Sequence, residues 1–551
     1  MEMERRHFLA ALSASAVVTC PAALLAATGP SMARTRHGPV VGRFIGGVHA
    51  FKGVRYGAST ADGGRFRPSR PPRPWTKPAP AFGDGPASPQ SEPGAKSTRR
   101  QPVPESEDCL TLDVWTPALR DGGKRPVMVW LHGGGLWRSS AAGAFQSGQR
   151  LAANNDVVMV SPNHRLGLLG FAYLQEFDPA FAGSASAGML DLVLALQWVR
   201  DNIEEFGGDP ANVTIFGQSG GGQKVSLLMA MPAAQGLFHK AIIQSGPAPV
   251  ALEAPYGREL ASRLLHLLDV PEKRARDLQH VPLRRLMTAY YRLFHEIGGF
   301  GVLGIIQDFA PVVDGITLPQ HPFWNGASPL SRDIPLIIGT TRTEMTEYTL
   351  QLDPDAPKRD FAGVSDHLRP LFGADAQGIV DHYRAAHPGA GPWEVDQLIR
   401  SDWPTRFFSR RIADAQARLK GAPVWMYRMD WSTRADNGLL MSPHAIDIPF
   451  VLDTVGTELT RPGQEEEQRQ MVRQMSGAWV SFARDGRPHG DAFPHWVPYE
   501  PERRATLLFD TRSRMADDPD GGDLDRIAAG LPHYRAVAGG VTSPTSRGLV
   551  Q

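Results

Sequence analysis

The stretch Asn212-Val-Thr-Ile-Phe-Gly-Gln-Ser-Gly-Gly221 decides the fold of this 551-residue chain. Its apolar run from Val213 to Phe216 predicts a buried strand, and the run from Lys224 to Met231 is compatible with a helix. Between them, Gly217-Gln218-Ser219-Gly220-Gly221 matches the G-x-S-x-G pattern. A sharp strand-to-helix turn needs these glycines, because it leaves no room for a Cβ beside the serine. The stretch therefore predicts an elbow that exposes the Ser219 hydroxyl.

Other short apolar runs extend this pattern in both directions along the chain. They do not alternate with polar residues, which indicates strands buried on both faces of a parallel sheet. The runs are Pro126–Leu131, Asp156–Ser161, Lys240–Ser245, Pro335–Gly339 and Pro423–Tyr427. A helical pattern from Gly188 to Phe206 lies among them, and Val40–Tyr56 predicts antiparallel strands at one edge. The sequence therefore predicts an α/β fold with a mostly parallel central sheet flanked by helices.

Composition excludes several classes of protein. Lys and Arg total 58 and Asp and Glu total 57, so the net charge of +1 lacks the basic footprint of a nucleic-acid binder. Two cysteines exclude a disulfide scaffold and a cysteine-based zinc site.

A G-x-G-x-x-G motif at Gly299, Gly301 and Gly304 follows a helical pattern rather than a strand, so we interpret it as a loop. We predict no metal and no cofactor.

The first 33 residues read as an export signal. Arg5-Arg6 is followed by Phe8-Leu9, which is a twin-arginine pattern, and by an Ala-rich apolar run. Ser31-Met32-Ala33 offers a small-x-small cleavage site. A membrane anchor is the alternative, but polar residues and Pro21 interrupt the run. A lipoprotein site at Cys20 is disfavoured because Thr19 precedes it.

This reading divides the chain into a leader, residues 1–33, and one mature domain, residues 34–551. We expect the mature protein to be periplasmic or secreted, with no stable membrane anchor.

A second glycine-rich segment follows the predicted strand Pro126–Leu131. It reads His132-Gly133-Gly134-Gly135, and successive glycines allow backbone N–H groups to converge on a developing oxyanion. We predict the N–H groups of Gly134, Gly135 and Gly220 as the oxyanion hole, the last being the residue after the elbow serine.

Ordered sequence blocks then indicate a family. The chain resembles the type-B carboxylesterases, a family that also holds the cholinesterases and the bacterial para-nitrobenzyl esterases. The blocks that carry the resemblance are SEDCLTLDVWTP from Ser106, VWLHGGG from Val129, NHRLGLLGF from Asn163, EEFGGDPANVTIFGQSGGG from Glu204, AIIQSG from Ala241, FAPVVDG from Phe309, IPLIIGTTRTEMT from Ile334 and HAIDIPFV from His444.

The resemblance implies an α/β-hydrolase fold with cap insertions over a gorge. It also implies a serine hydrolase of carboxylic esters that works through an acyl-enzyme. Ser219 would be the nucleophile, His444 the general base and Glu344 the acid that orients the imidazole. The expected partner is a small-molecule ester, and the residues do not specify which ester or the oligomeric state.

Three further expectations rest on the resemblance alone. Ser245 would lie near the triad acid in a supporting role. Arg65–Glu107 and Arg165–Asp209 would be structural ion pairs.

Two departures from the family pattern carry predictions. Gln218 stands where the family usually has a carboxylate close to the imidazolium, so His444 should titrate lower than with that carboxylate present. Cys109 matches one half of a family disulfide whose partner position is Ser88, so the segment between them is predicted to be unbridged.

Other functions remain open at this stage. The same triad serves amidases and acyltransferases, and some relatives on this fold are non-catalytic binding proteins. The segment from about Tyr256 to Phe323 is predicted to be the variable cap that sets specificity.

Overall fold

The computed structural model describes residues 30–94, 103–297, 308–456, 460 and 462–530. Most of the predicted leader and the motif from Gly299 to Gly304 lie outside these residues. Within the described part of the chain, 13 strands form one sheet and two short strands form another.

Each of the six predicted apolar runs forms a strand, and Val40–Tyr56 forms two more, whereas the other strands were not predicted. Their bounds are β1 Ser31–Thr35, β2 Gly38–Ile45, β3 Val48–Arg55, β4 Ala79–Pro80, β5 Thr111–Thr116, β6 Arg125–Leu131, β7 Val158–Pro162, β8 Gly208–Gln218, β9 Lys240–Gln244, β10 Leu252–Glu253, β11 Val312–Val313, β12 Leu336–Thr341, β13 Val424–Met429, β14 Ala505–Phe509 and β15 Arg514–Asp517. The large sheet has the order β1-β2-β3-β5-β7-β6-β8-β9-β12-β13-β14-β15, with β4 beside β2. Strands β7 to β14 of this order are parallel, and antiparallel strands form both edges. The predicted mostly parallel α/β sheet is confirmed.

The helices cover both faces of the sheet. Their bounds are α1 Gln149–Asn155, α2 Gly167–Phe171, α3 Ala187–Asn202, α4 Gly220–Leu228, α5 Ala254–Leu267, α6 Leu283–Glu296, α7 Thr346–Leu352, α8 Phe361–Phe372, α9 Ala376–Ala386, α10 Pro392–Ser401, α11 Phe407–Arg418, α12 Ile448–Val451, α13 Glu465–Asp485 and α14 Gly521–Ala529. The helical stretch Pro179–Phe206, which includes α3, is apolar and long enough to cross a membrane, but it is mostly buried. Because such burial is typical of a core helix, this stretch belongs to the packed interior.

Side chains of β6 show why the apolar runs do not alternate. Val127 and Val129 enter the apolar core on one face of the sheet, and Met128 and Trp130 enter the core on the other. Both faces are covered by helices, so every residue of β6 is buried. Continuous burial removes the period-2 pattern that a half-exposed strand would show.

The strand order brings two glycine-rich loops together. The chain runs from β6 to β7 on one side and then to β8 on the other side of β6, which is a topological switch point. Leu131 at the end of β6 is in register with Gly217 on β8. The loop after β6 and the elbow after β8 therefore open side by side at the carboxyl edge of the sheet, where α/β folds bind ligands.

A helical insertion between β12 and β13 was not predicted. Helices α8 to α11 form a third apolar cluster with α14, separate from the two cores of the sheet. The predicted cap does contain two helices, α5 and α6.

Strand β1 overlaps the predicted leader. It pairs with β2 along its whole length, from Ser31 opposite Gly42 to Thr35 opposite Gly38. The predicted cleavage site at Ala33 therefore lies inside a paired strand.

One predicted ion pair is confirmed and the other is wrong. Arg65 forms a bidentate pair with Glu107, at 2.7 Å for both contacts. Arg165 pairs with Asp191 of α3 instead of Asp209, through contacts of 2.6 and 2.8 Å between buried groups. Arg165 follows the carboxyl end of β7, whereas Asp209 opens β8 at its amino end. Parallel strands place these positions at opposite edges of the sheet, so the predicted pair could not form.

Candidate active site

The elbow holds Ser219 in a strained backbone conformation. Its φ of 58° and ψ of −125° lie outside the regions that a non-glycine residue ordinarily adopts. The turn is packed too tightly for side chains on its glycines. A Cβ on Gly221 would lie 1.9 Å from Leu131 O, and one on Gly217 would lie 2.6 Å from the same atom. The predicted strand–turn–helix unit is therefore present, with Ser219 partly exposed at the start of α4.

The glycine loop after β6 lies directly against the elbow. A Cβ on Gly133 would lie 3.4 Å from Ser219 Cβ, and one on Gly220 would lie 2.0 Å from Gly135 O. Gly134 and Gly135 have φ values of 80° and 62°, which glycine adopts without strain. As the first residue of α4, Gly220 has an N–H with no partner within the helix. The structure thus brings the three predicted oxyanion donors to the side of Ser219.

His444 and Glu344 meet although 100 positions separate them. The His444 Nδ1–H donates to Glu344 Oε2 at 2.5 Å. The other oxygen, Oε1, accepts a 2.8 Å hydrogen bond from the Thr341 N–H at the end of β12. Glu344 is buried, so both of its oxygens are held in a fixed orientation toward the imidazole.

Gln218 contacts the other nitrogen of the His444 ring. Its Nε2 lies 3.0 Å from His444 Nε2. An amide NH₂ can only donate, so the ring nitrogen accepts, and the ring proton sits on Nδ1. This tautomer agrees with the contact to Glu344 and leaves Nε2 unprotonated, as a general base requires. Among the described residues no hydrogen bond joins Ser219 Oγ to the ring, and the contact comes from the residue before the serine.

The charges around the imidazole favour its protonated form. Burial alone would lower the pKa of His444, but the negative charge of Glu344, assisted by Asp447 and Glu347, raises it above its ordinary value. Asp447 is itself buried, and desolvation raises its pKa to about 6. The site therefore stabilises an imidazolium while keeping a second carboxylate close to it.

Asp447 and Tyr348 were missed by sequence reasoning. Asp447 Oδ2 accepts hydrogen bonds from Gln244 Nε2 at 2.9 Å and from the Tyr427 hydroxyl at 3.0 Å. The ring of Tyr348 lies 5.6 Å from the His444 ring, between centroids. Asp447 stands three residues after His444 in the same block, a spacing that could have suggested it.

The predictions for Ser245 and for the Ser88–Cys109 positions have different outcomes. Ser245 is buried, with a backbone N–H bonded to Gly339 O at 2.8 Å. Its hydroxyl has no hydrogen-bond partner among the described residues, so its supporting role stays a prediction. Ser88 donates to the buried Cys109 thiol, which places the two disulfide positions next to each other. Burial raises the pKa of that thiol to about 12, so it is inert as a nucleophile.

Aromatic side chains flank the site. Trp137 follows the glycine loop, and its ring lies 5.3 Å from that of Phe294 on α6. The Arg138 guanidinium lies over Trp137, 4.7 Å from its ring centroid. Among the described residues no cluster of His, Cys, Asp and Glu could hold a metal ion.

Comparison with known proteins identifies the family. The sequence model of the carboxylesterase family matches residues 30–525. The chain belongs to the carboxylesterase family. It is 33% identical over 498 residues to the para-nitrobenzyl esterase of Bacillus subtilis, covering 90% of this chain and 97% of that esterase. It is 34% identical over 500 residues to the phenmedipham hydrolase of Pseudarthrobacter oxydans, covering 88% and 97% of the two chains.

Solved structures agree with the family. A carboxylesterase from Geobacillus stearothermophilus matches with a TM-score of 0.77 at 32% identity, covering 91% of this chain and 99% of that one. This carboxylesterase therefore has the α/β-hydrolase fold and is a hydrolase of small-molecule carboxylic esters.

Proposed function

We propose that this carboxylesterase hydrolyses its ester through a Ser219–His444–Glu344 triad and an acyl-enzyme. Ser219 Oγ attacks the ester carbonyl while His444 Nε2 accepts its proton. The carbonyl oxygen becomes an oxyanion that the N–H groups of Gly134, Gly135 and Gly220 stabilise. His444 then protonates the leaving alcohol, and water repeats the sequence to release the acid.

The contact between His444 and Glu344 is the observation that carries this proposal. A buried carboxylate 2.5 Å from Nδ1 fixes the ring tautomer and stabilises the charge that forms on the ring. For the first step, His444 Nε2 must exchange its contact with Gln218 for one with Ser219 Oγ. The two partners are adjacent in the chain, and catalytic hydrogen bonds often tighten only when substrate is bound.

Hydrolysis of p-nitrophenyl acetate, butyrate and octanoate tests the nucleophile. We expect Ser219→Ala to reduce turnover by about 10⁴-fold or more, because the covalent route is lost. Ser226→Ala is the matched control, since Ser226 is a buried serine on the same helix whose hydroxyl bonds Gly222 O. Full activity of Ser219→Ala would contradict the proposal. Matched amide substrates and alcohol acceptors separate ester hydrolysis from amidase and acyltransferase activity.

We propose that the preferred esters carry an aromatic group. Trp137, which follows the glycine loop, packs against Phe294 of the cap helix α6, and the ring of Tyr348 packs against that of His444. Aromatic faces stack favourably on a planar ring, by about 0.5–1.5 kcal/mol per pair. The related esterase of Bacillus subtilis is described as acting on a para-nitrobenzyl ester. A benzyl ester should therefore show a higher kcat/KM than an alkyl ester of similar length, and equal values would contradict this preference.

We also propose that the protein is exported through a twin-arginine signal. The supporting observation is the Arg5-Arg6 pattern. Because β1 begins at Ser31, cleavage before that residue would leave the strand complete. Replacing Arg5 and Arg6 by lysine should keep the protein in the cytoplasm, as fractionation would report. The mass of the exported chain would locate the cleavage site, and an uncleaved, unexported wild type would contradict the proposal.

A further inference from the structure

A buried lysine lies directly behind the elbow. Lys224 is 0% exposed and stands on α4, one turn after Gly220. Helical side chains point back toward the helix N-terminus, so Lys224 extends toward the end that carries Ser219. Its Nζ donates a 2.8 Å hydrogen bond to His132 O, at the start of the glycine loop. Burial of this ammonium lowers its pKa to about 7.

A second hydrogen bond, made by the ring of the same His132, holds the next peptide of the loop. His132 Nδ1 lies 3.0 Å from Gly133 O. A carbonyl can only accept, so Nδ1 carries the proton. Gly133 O belongs to the same peptide group as the Gly134 N–H. Lys224 therefore fixes the backbone of His132, and the His132 ring in turn donates to the peptide whose N–H is a predicted oxyanion donor and polarises it.

The groups around Lys224 are basic. The rings of His132 and His164 stack with centroids 4.7 Å apart and an interplanar angle of 27°. Burial, with the charges of Lys224 and His132 added, keeps the pKa of His164 well below its ordinary value. Within the described residues, no carboxylate forms an ion pair with Lys224. Its positive charge is therefore uncompensated and lies behind the loop.

We propose that Lys224 is a positioning residue of the oxyanion hole. Its hydrogen bond to His132 O holds the start of the glycine loop in place, and with it the His132 ring that bonds the peptide presenting the Gly134 N–H to the oxyanion. This inference rests on the proposed function, in which that N–H stabilises the tetrahedral intermediate. An uncompensated ammonium behind the loop adds its charge to the positive end of α4, and both favour negative charge at the carbonyl oxygen.

The role predicts a particular pH dependence. Activity requires His444 in its neutral form and Lys224 in its charged form. The rate should rise with pH as His444 loses its proton and fall again as Lys224 deprotonates above pH about 7. The fall should appear in kcat rather than in KM, because the oxyanion exists only after attack.

Two substitutions of Lys224 test this role. Lys224→Met keeps a long unbranched side chain but removes its charge. We expect a loss of about 10- to 100-fold in kcat with little change in KM. The alkaline limb of the pH profile should disappear. Lys224→Arg keeps the charge at every pH, so it should restore part of kcat and extend activity to higher pH. Unchanged kcat and an unchanged alkaline limb in folded Lys224→Met would overturn the proposal.

A matched control variant and a measurement on the wild type complete the test of Lys224. Lys240→Met removes another buried lysine, but Lys240 opens β9 at the opposite edge of the sheet. It should leave kcat and the pH profile unchanged. The wild-type affinity for an aryl trifluoromethyl ketone, which Ser219 Oγ attacks to form an oxyanion adduct, should fall as pH rises through about 7. A flat affinity would overturn the proposal even if the variants did not fold.

The proposed mechanism and the role of Lys224 can be contradicted independently. Full activity of Ser219→Ala would remove the proposed mechanism, whatever Lys224 does. Loss of activity in Ser219→Ala, together with wild-type behaviour of Lys224→Met, would remove only the role of the lysine.

Discussion

Replacing Gln218 by glutamate should move the acid limb of the pH–rate profile upward. In the wild type, the Gln218 amide donates to His444 Nε2 at 3.0 Å, a contact that the neutral ring makes and the protonated ring cannot. A carboxylate at the same place would accept from the protonated ring instead. The substitution therefore removes a contact that favours neutral His444 and adds one that favours the imidazolium.

The magnitude follows from the distance between the groups. Opposite charges about 4 Å apart attract by roughly 4 kcal/mol at an effective dielectric constant of 20, which corresponds to about 3 pKa units. Gln218 is buried, so desolvation of the new carboxylate offsets part of this gain. We expect the pKa of His444, already above its ordinary value, to rise by a further one to two units or so.

The assay is kcat/KM for p-nitrophenyl butyrate as a function of pH, because this ratio reports ionisations of the free enzyme. The neutral imidazole is the active form, so a higher pKa moves the loss of activity to higher pH. Gln235→Glu is the control, since it adds the same charge at an exposed position where solvent and salt screen it. An acid limb that stays in place, or moves no further than in the control, would contradict the predicted effect of residue 218 on the pKa of His444.

Three other substitutions test separate parts of the structure. Glu344→Gln should lower kcat by about 10³- to 10⁴-fold in ester hydrolysis assays, because the ring loses the partner that fixes its tautomer. Under oxidising conditions Ser88→Cys should form a disulfide with Cys109 and raise the free energy of unfolding by about 3 kcal/mol in denaturant titrations. Asp191→Asn should lower that free energy by about 3–5 kcal/mol, because it leaves Arg165 buried without a charged partner.

Each of these has a contradicting result. A tenfold or smaller loss in Glu344→Gln would argue against its role as triad acid. Free thiols in oxidised Ser88→Cys would contradict the proximity to Cys109. Asp209→Asn is the control for the ion pair, and a larger loss of stability there than in Asp191→Asn would favour the pairing that the sequence suggested.

The sequence predicted six central strands of the sheet because burial on both faces leaves a direct signal. Strand β6, covered by helices on both sides, is apolar at every position but Arg125, and β13 begins with the apolar run Val424–Tyr427. The elbow could be predicted for a similar reason, since the glycines around Ser219 are required by contacts as short as 1.9 Å. The insertion between β12 and β13 left no comparable signal in the sequence. Its helices are amphipathic, and their sequence pattern does not differ from that of the helices that pack on the sheet.

The distant partners of the site could not be derived from local pattern. Glu344 and His444 meet Ser219 only through the fold, and they were named by the resemblance to the carboxylesterases. The Arg165–Asp209 pair, which was predicted from the family resemblance, is wrong because the two residues lie at opposite edges of the sheet. The contact from Lys224 to His132 depends on the direction in which the Lys224 side chain leaves α4. No sequence motif indicates this direction, so the contact could not be predicted.

Mass spectrometry of the protein treated with an organophosphate tests whether Ser219 is the nucleophile. Such a reagent phosphorylates an activated serine and leaves ordinary serines unmodified. We expect one adduct, located on Ser219 by peptide mapping, that is absent from Ser219→Ala and formed much more slowly in Glu344→Gln. An adduct on another serine, or an equal rate of labelling in Glu344→Gln, would contradict the Ser219–His444–Glu344 mechanism.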